Sequence, residues 1–141
     1  MQRIVLDTNV LVSALIGSSF PKFILYRLVL DKQIALCLSS EVFEEYETVL
    51  SRERFAKFSG FTEESKIVLN KLSEMSLLFY PIEKETIIKD KTDNKFIELA
   101  VDANAEVIVT GNHNDFDIEV YKGIQIMSPK KYCETYWSNL F

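Results

Sequence analysis

Little in this sequence would staple, kink or embed the chain: two cysteines, four glycines, three prolines and a single histidine are spread over 141 residues. Cys37 and Cys133 lie far apart and neither belongs to a C-x-x-C pair, which argues against zinc. Cys37 sits in the apolar run Ala35-Leu36-Cys37-Leu38, where a buried free thiol is expected, so no oxidising compartment is called for. Long hydrophobic runs are missing too. No segment approaches the roughly 18 apolar residues of a membrane span, and Phe23 to Leu30 is broken by Arg27. The first carboxylate, Asp7, comes too early for the apolar centre of a signal peptide. A cytoplasmic protein with no membrane partner is expected. Positive charge is also short: 16 basic against 21 acidic side chains give a net charge of −5, which excludes general coating of nucleic acid but not a local basic rim. Neither a Walker loop nor a G-x-S-x-G nucleophile turn is present. The lone His113 lies in the polar run Asn112 to Asp115, where an exposed imidazole needs no function.

What the chain does have is core material, with 48% hydrophobic and 12% aromatic residues at the commonest size for one domain. A single domain over residues 1–141 is expected. Ile4-Val5-Leu6 is a continuous apolar run suited to a central parallel strand covered on both faces. Further strands are expected at Ile34–Leu38, Leu77–Tyr80, Glu106–Thr110 and the short Ile124–Met127. Helices should open near Pro21, at Ser39-Ser40, at Thr62, at Asp93 and at Pro129, because these positions combine capping residues with apolar repeats at helical spacing. Strands alternating with helices make an α/β fold, a three-layer α/β/α sandwich with a mainly parallel central sheet of four to five strands.

In such sheets ligands bind beyond the carboxyl ends of the strands. Asp7 follows the first strand directly, Asn112 and Asp115 follow Val109-Thr110, and Asp93 opens the helix before that strand. Singly, Asp7 reads as a turn residue and Asp93 as a helix cap. Brought together, carboxylates in a partly dry cleft need a cation, and oxygen-only donors select Mg²⁺ or Mn²⁺ over zinc. A fourth acid is expected from the helix Ser40–Ser51. At about 100° per residue Glu45 and Glu47 flank its apolar stripe on opposite sides while Glu44 points away, which shortlists Glu45 and Glu47 without choosing between them.

Four pieces of the chain, in order, resemble the PIN-domain family and its VapC-like toxin components: Val5-Leu6-Asp7-Thr8-Asn9 onward, Leu38-Ser39-Ser40-Glu41-Val42-Phe43-Glu44-Glu45-Tyr46, Asp90-Lys91-Thr92-Asp93-Asn94-Lys95-Phe96, and Val109-Thr110-Gly111-Asn112 with Asp115-Phe116. The resemblance implies a PIN-like fold and a metal-dependent endoribonuclease, the toxin of a toxin–antitoxin pair. Carried over by position, it implies a metal and catalytic set of Asp7, Glu45, Asp93 and Asp115, and the spacing from Ser40 selects Glu45 over Glu47. Asp90 is the rival for the third position; Asp93 fits the helix register better. Thr110 is implied to orient Asp7 or a water. Relatives commonly carry Asp where this chain has Asn112, a neutral donor, so Asp115 is expected to supply the charge.

Lys89, Lys91 and Lys95, with Arg52, Arg54 and Lys57, are candidates for an RNA-holding rim. The expected partners are an RNA substrate and a small antitoxin protein, with a second copy in a homo-oligomer as a further candidate. Phe20, Phe23, Phe55, Phe58 and Phe61 are candidates for a groove that receives a partner or for core. Two alternatives stand beside this reading: a catalytically silent PIN fold that only binds RNA or protein, and a haloacid-dehalogenase-like phosphatase, whose second acid is missing because Asn9 stands two residues after Asp7.

Overall fold

The computed structural model describes residues 1–82, 94–111 and 119–140. β1 (Arg3–Leu6) buries Ile4, Val5 and Leu6 completely, as its unalternating apolar sequence requires of a strand covered on both faces. Each such side chain contributes about 1.5–3 kcal/mol by leaving water. The chain then turns at Asp7 into α1 (Thr8–Ile16), which ends at Gly17. Gly17 has φ 107°, a left-handed conformation that lets its amide reach the carbonyls of Ser13 and Ala14. α2 (Ser19–Phe23) runs into a π-helical stretch over Ile24–Val29, and β2 (Ala35–Leu38) follows.

α3 (Ser40–Leu50) is capped by Ser39, whose Oγ accepts from the Val42 amide. After it come α4 (Glu53–Ala56), α5 (Phe61–Met75), β3 (Leu77–Leu78), α6 (Asn94–Ala103), β4 (Val107–Val109), β5 (Val120–Tyr121), β6 (Ile124–Met127) and α7 (Pro129–Tyr136). Ser128 caps α7 by accepting from the Lys131 amide, with Pro129 in the first turn. The strand order is β3-β2-β1-β4-β6-β5, parallel throughout except for the β5–β6 hairpin. Helices cover both faces, so the fold class is the expected one.

Among the described residues the sheet holds six strands rather than four or five, because the two-residue edge strand β5 pairs through a turn at Lys122-Gly123. From β1 the chain first builds outward to β2 and β3, then crosses back through α6 to β4 on the other side of β1. β1 and β4 therefore flank the point where the winding direction reverses, and the residues just past their carboxyl ends are Asp7 and Thr110.

One large apolar cluster contains β1, β2, β4 and β6 with the inner faces of α1, α3, α5, α6 and α7. A smaller one gathers Val49, Leu50, Phe55 and Phe61, where the Phe55 and Phe61 rings stack at 5.3 Å. Phe20 and Phe23 pack against the main core, which leaves Phe58 as the one exposed ring of the five weighed for a groove. Those residues are core first. Cys37 and Cys133 are buried and free, and burial pushes both thiols up to about 11, so neither is a reactive thiolate near neutral pH. Among the described residues no single helix is long and apolar enough to cross a membrane.

Tyr46 ties α3 to the end of β1. It is fully buried, and its hydroxyl donates to the Leu6 carbonyl at 2.6 Å, one residue before Asp7. Tyr46→Phe removes that donor, and we expect a loss of about 1–2 kcal/mol in urea unfolding. An unchanged midpoint and slope would show that the bond adds nothing to the junction.

Candidate active site

Asp7 is the residue between β1 and α1, in extended conformation at the N-cap of the helix, with its own amide donating to Val109 O at 2.9 Å. Its carboxylate closes no capping hydrogen bond of ordinary geometry. Instead, Oδ2 accepts from the Thr110 hydroxyl across 2.6 Å, joining the ends of β1 and β4. Asp7 is 4% exposed and Thr110 is wholly buried. The Thr8 and Asn9 amides lie near this carboxylate, but its closest bond runs across the sheet to Thr110, which local turn geometry alone does not explain.

Burial is the largest influence on Asp7 and raises its pKa above the ordinary carboxylate value. The Thr110 hydroxyl and the nearby amides of Asn9 and Thr8 pull it down, while the negative charge of Glu45 pushes it further up. Thr110→Val should therefore raise Asp7 still more. Because the lost bond favours the ionised acid, we expect a destabilisation of about 1–3 kcal/mol at neutral pH that shrinks as pH falls through the Asp7 pKa. Unfolding measured across that range checks this; a pH-independent deficit would mean that Thr110 acts by packing only.

Glu45 reaches the same corner from α3. Its side chain is about one-fifth exposed, whereas Glu44 and Glu47 are exposed, so helix geometry turns Glu45 inward. Oε2 accepts from the Thr8 hydroxyl and Oε1 from Lys95 Nζ at 2.7 Å. Thr8, directly after Asp7, and Lys95, in the first turn of α6, thus hold the carboxylate from two sides.

Lys95 and Arg52 line a groove of about 450 Å³ beside Glu45, together with Glu41, Glu44, Thr48 and Val49. Arg54 instead lies over the Phe55 ring at 4.8 Å. Lys89, Lys91, Asp90, Asp93, Asn112, His113 and Asp115 lie outside the described residues. Among the described residues no three His, Cys, Asp or Glu side chains gather at one point. Asp7 and Glu45 are the two acids brought together.

This donor chemistry fits a hard divalent cation: two carboxylates and neighbouring hydroxyls, one acid buried with its pKa still raised, with no imidazole or thiolate among the described residues of the site. Sequence reasoning missed Thr8, the bond to Glu45 that it makes, and the use of Lys95 within the cluster. It also assigned nothing to Asn94 and Glu98, two buried polar residues of α6. The signal for Thr8 was its place beside Asp7; the others become visible only when α6 is laid against α3.

A family model described as a PIN domain matches residues 3–114. The chain belongs to the PIN-domain family. PIN domains are nucleases, hydrolases acting on nucleic acids, and generally use divalent metals. That membership sets aside the haloacid-dehalogenase-like alternative. Uncharacterized protein MJ1680 of Methanocaldococcus jannaschii is 27% identical over 110 residues, covering 78% of this PIN chain and 70% of the relative. Two solved structures share the fold. VapBC2 from Rickettsia felis, bound to a DNA fragment from its promoter, aligns with TM-score 0.57 and 18% identity over 89% of this chain and 97% of the other. FitAB bound to an IR36 DNA fragment aligns with TM-score 0.54 and 17% identity over 89% and 94%.

Proposed function

We propose that this PIN domain is a Mg²⁺- or Mn²⁺-dependent endoribonuclease and serves in the cytoplasm as the toxin of a toxin–antitoxin pair. The observation that carries the reading is Asp7: a buried carboxylate at the topological switch point, oriented by Thr110 and close enough to Glu45 to feel its charge. Asp7 and Glu45 would hold the ion together with Asp93 and Asp115. A divalent ion bound there supplies charge against the phosphate and lowers the pKa of water.

The protein's own groups do the rest. Thr110 fixes the Asp7 carboxylate, Thr8 and Lys95 fix Glu45, and Arg52 stands on the groove where phosphates would lie. The antitoxin proposal draws on the solved relatives, which come from the VapBC and FitAB toxin–antitoxin systems.

Incubating the protein with labelled mixed RNA and with single-stranded DNA, in Mn²⁺, Mg²⁺ or EDTA, tests the activity. Metal-dependent RNA cleavage supports it. RNA bound but intact under every condition favours the silent binding fold, which Asn112 keeps as the second reading because it puts a neutral donor where relatives commonly carry an acid.

A further inference from the structure

We propose that Lys95 is a built-in counter-cation of Glu45, and that loading of the divalent ion is an exchange in which Lys95 leaves. The inference rests on the metal-dependent reading above and deepens it. Both oxygens of Glu45 are already engaged, Oε2 by the Thr8 hydroxyl and Oε1 by the Lys95 ammonium at 2.7 Å. These two partners differ in kind.

Thr8 is buried and fixed at the β1–α1 junction, and it is neutral, so its bond can persist beside an ion. Lys95 carries a full charge on a flexible stem. A divalent ion on the same oxygen would meet that ammonium at close range, and repulsion between the two cations weakens the Lys95 bond. Lys95 is the partner that yields.

Its position makes release easy. Lys95 stands in the first turn of α6, where a cation opposes the helix dipole, so the tie to Glu45 offsets an unfavourable placement. The pair is about one-fifth exposed at each side chain and borders the open groove, so exchange with a solvent ion needs no opening of the core. Glu45 also acts on Asp7 as a like charge. In the metal-free protein Lys95 offsets one of these two charges, and an incoming ion takes over that task.

Calorimetric titration with Mn²⁺ at fixed pH and ionic strength is the test, applied to wild type, Lys95→Gln, Lys95→Arg, Arg52→Gln, Glu45→Gln and the Glu45→Gln/Lys95→Gln double variant. Lys95→Gln should bind Mn²⁺ about tenfold more tightly, as expected for removing one charge-assisted competitor. It should also melt at a lower temperature than wild type without metal. Lys95→Arg, whose guanidinium holds a carboxylate through two bonds, should bind Mn²⁺ more weakly than wild type. Arg52→Gln removes a charge from the same groove and should change affinity by less than about threefold. In the Glu45→Gln background the Lys95→Gln gain should vanish.

The exchange is overturned if Lys95→Gln and Lys95→Arg both bind as wild type does, or if Arg52→Gln gains as much as Lys95→Gln, which would make the effect one of general charge. Should Lys95→Gln fail to fold, the weakening expected of Lys95→Arg carries the test. A wild-type protein that binds no Mn²⁺ overturns the metal reading itself, a result separate from a wild type that binds while the Lys95 variants change nothing.

Discussion

Asp7→Asn should reduce RNA cleavage by more than about 100-fold and, in metal-free buffer at neutral pH, should unfold at a higher temperature than wild type. The activity loss follows from position: groups that merely support a metal ligand typically cost about 10–100-fold when changed, and Asp7 is proposed as a ligand itself. The stability gain follows from sign. Burial and the Glu45 charge raise the Asp7 pKa in the folded protein, so ionised Asp7 opposes folding at pH values above that raised pKa. The opposition disappears as pH falls below the ordinary carboxylate value, where the acid is protonated whether folded or not. Asparagine is uncharged at every pH, and its Oδ1 can still accept from Thr110. The difference in melting temperature should therefore be largest at neutral pH and close as the solution is acidified. If Asp7→Asn instead melts lower at neutral pH, Asp7 is a structural residue and its burial serves the β1–β4 junction.

How much of this was legible beforehand depends on the distance over which each signal acts. Ile4–Leu6 and Val107–Val109 announced themselves as covered strands because burial on both faces removes alternation from the sequence itself. The Ser39 cap and the opening of α7 at Pro129 were equally local. α1 was not assigned because Val10, Leu11, Val12, Ala14, Leu15 and Ile16 run together with little polar interruption, so no stripe marks a helical period. The β5–β6 hairpin escaped for another reason: its turn places Lys122 at φ 50° before Gly123, and lysine is not a residue that advertises a left-handed conformation.

At the site, Asp7 could be ranked from the strand end and Glu45 shortlisted from the helix stripe. Their partners could not. Thr8 and Lys95 stand 37 and 50 residues from Glu45 in sequence, and only the packing of α1, α3 and α6 brings the three together. Lys95 was read as part of a phosphate-holding rim, the natural reading of a lysine among lysines. Its ammonium lies on that groove and also serves Glu45, at 2.7 Å from Oε1.

The remaining charge of the proposed cluster is expected from Asp93 and Asp115, and Asn112 decides how much Asp115 must supply. Asp7 and Glu45 alone bring two carboxylates, and Lys95 offsets one of them, so the described residues by themselves hold little net negative charge for an ion. Asp115→Ala should then weaken Mn²⁺ binding about as badly as Asp7→Ala, by roughly tenfold or more for each lost carboxylate. Asn112→Asp should tighten binding by restoring an acid where relatives commonly have one. Both effects should fade as pH falls through the carboxylate range, because protons compete with the ion for the same oxygens. Mn²⁺ titration of the three variants at two pH values reads the outcome. An Asp115→Ala protein that binds as wild type does would make Asp115 a surface acid and leave the ion to Asp7, Asp93 and Glu45. Three carboxylates, one of which Lys95 must first release, would hold a single ion more readily than two, and cleavage would then have to proceed by a one-metal route.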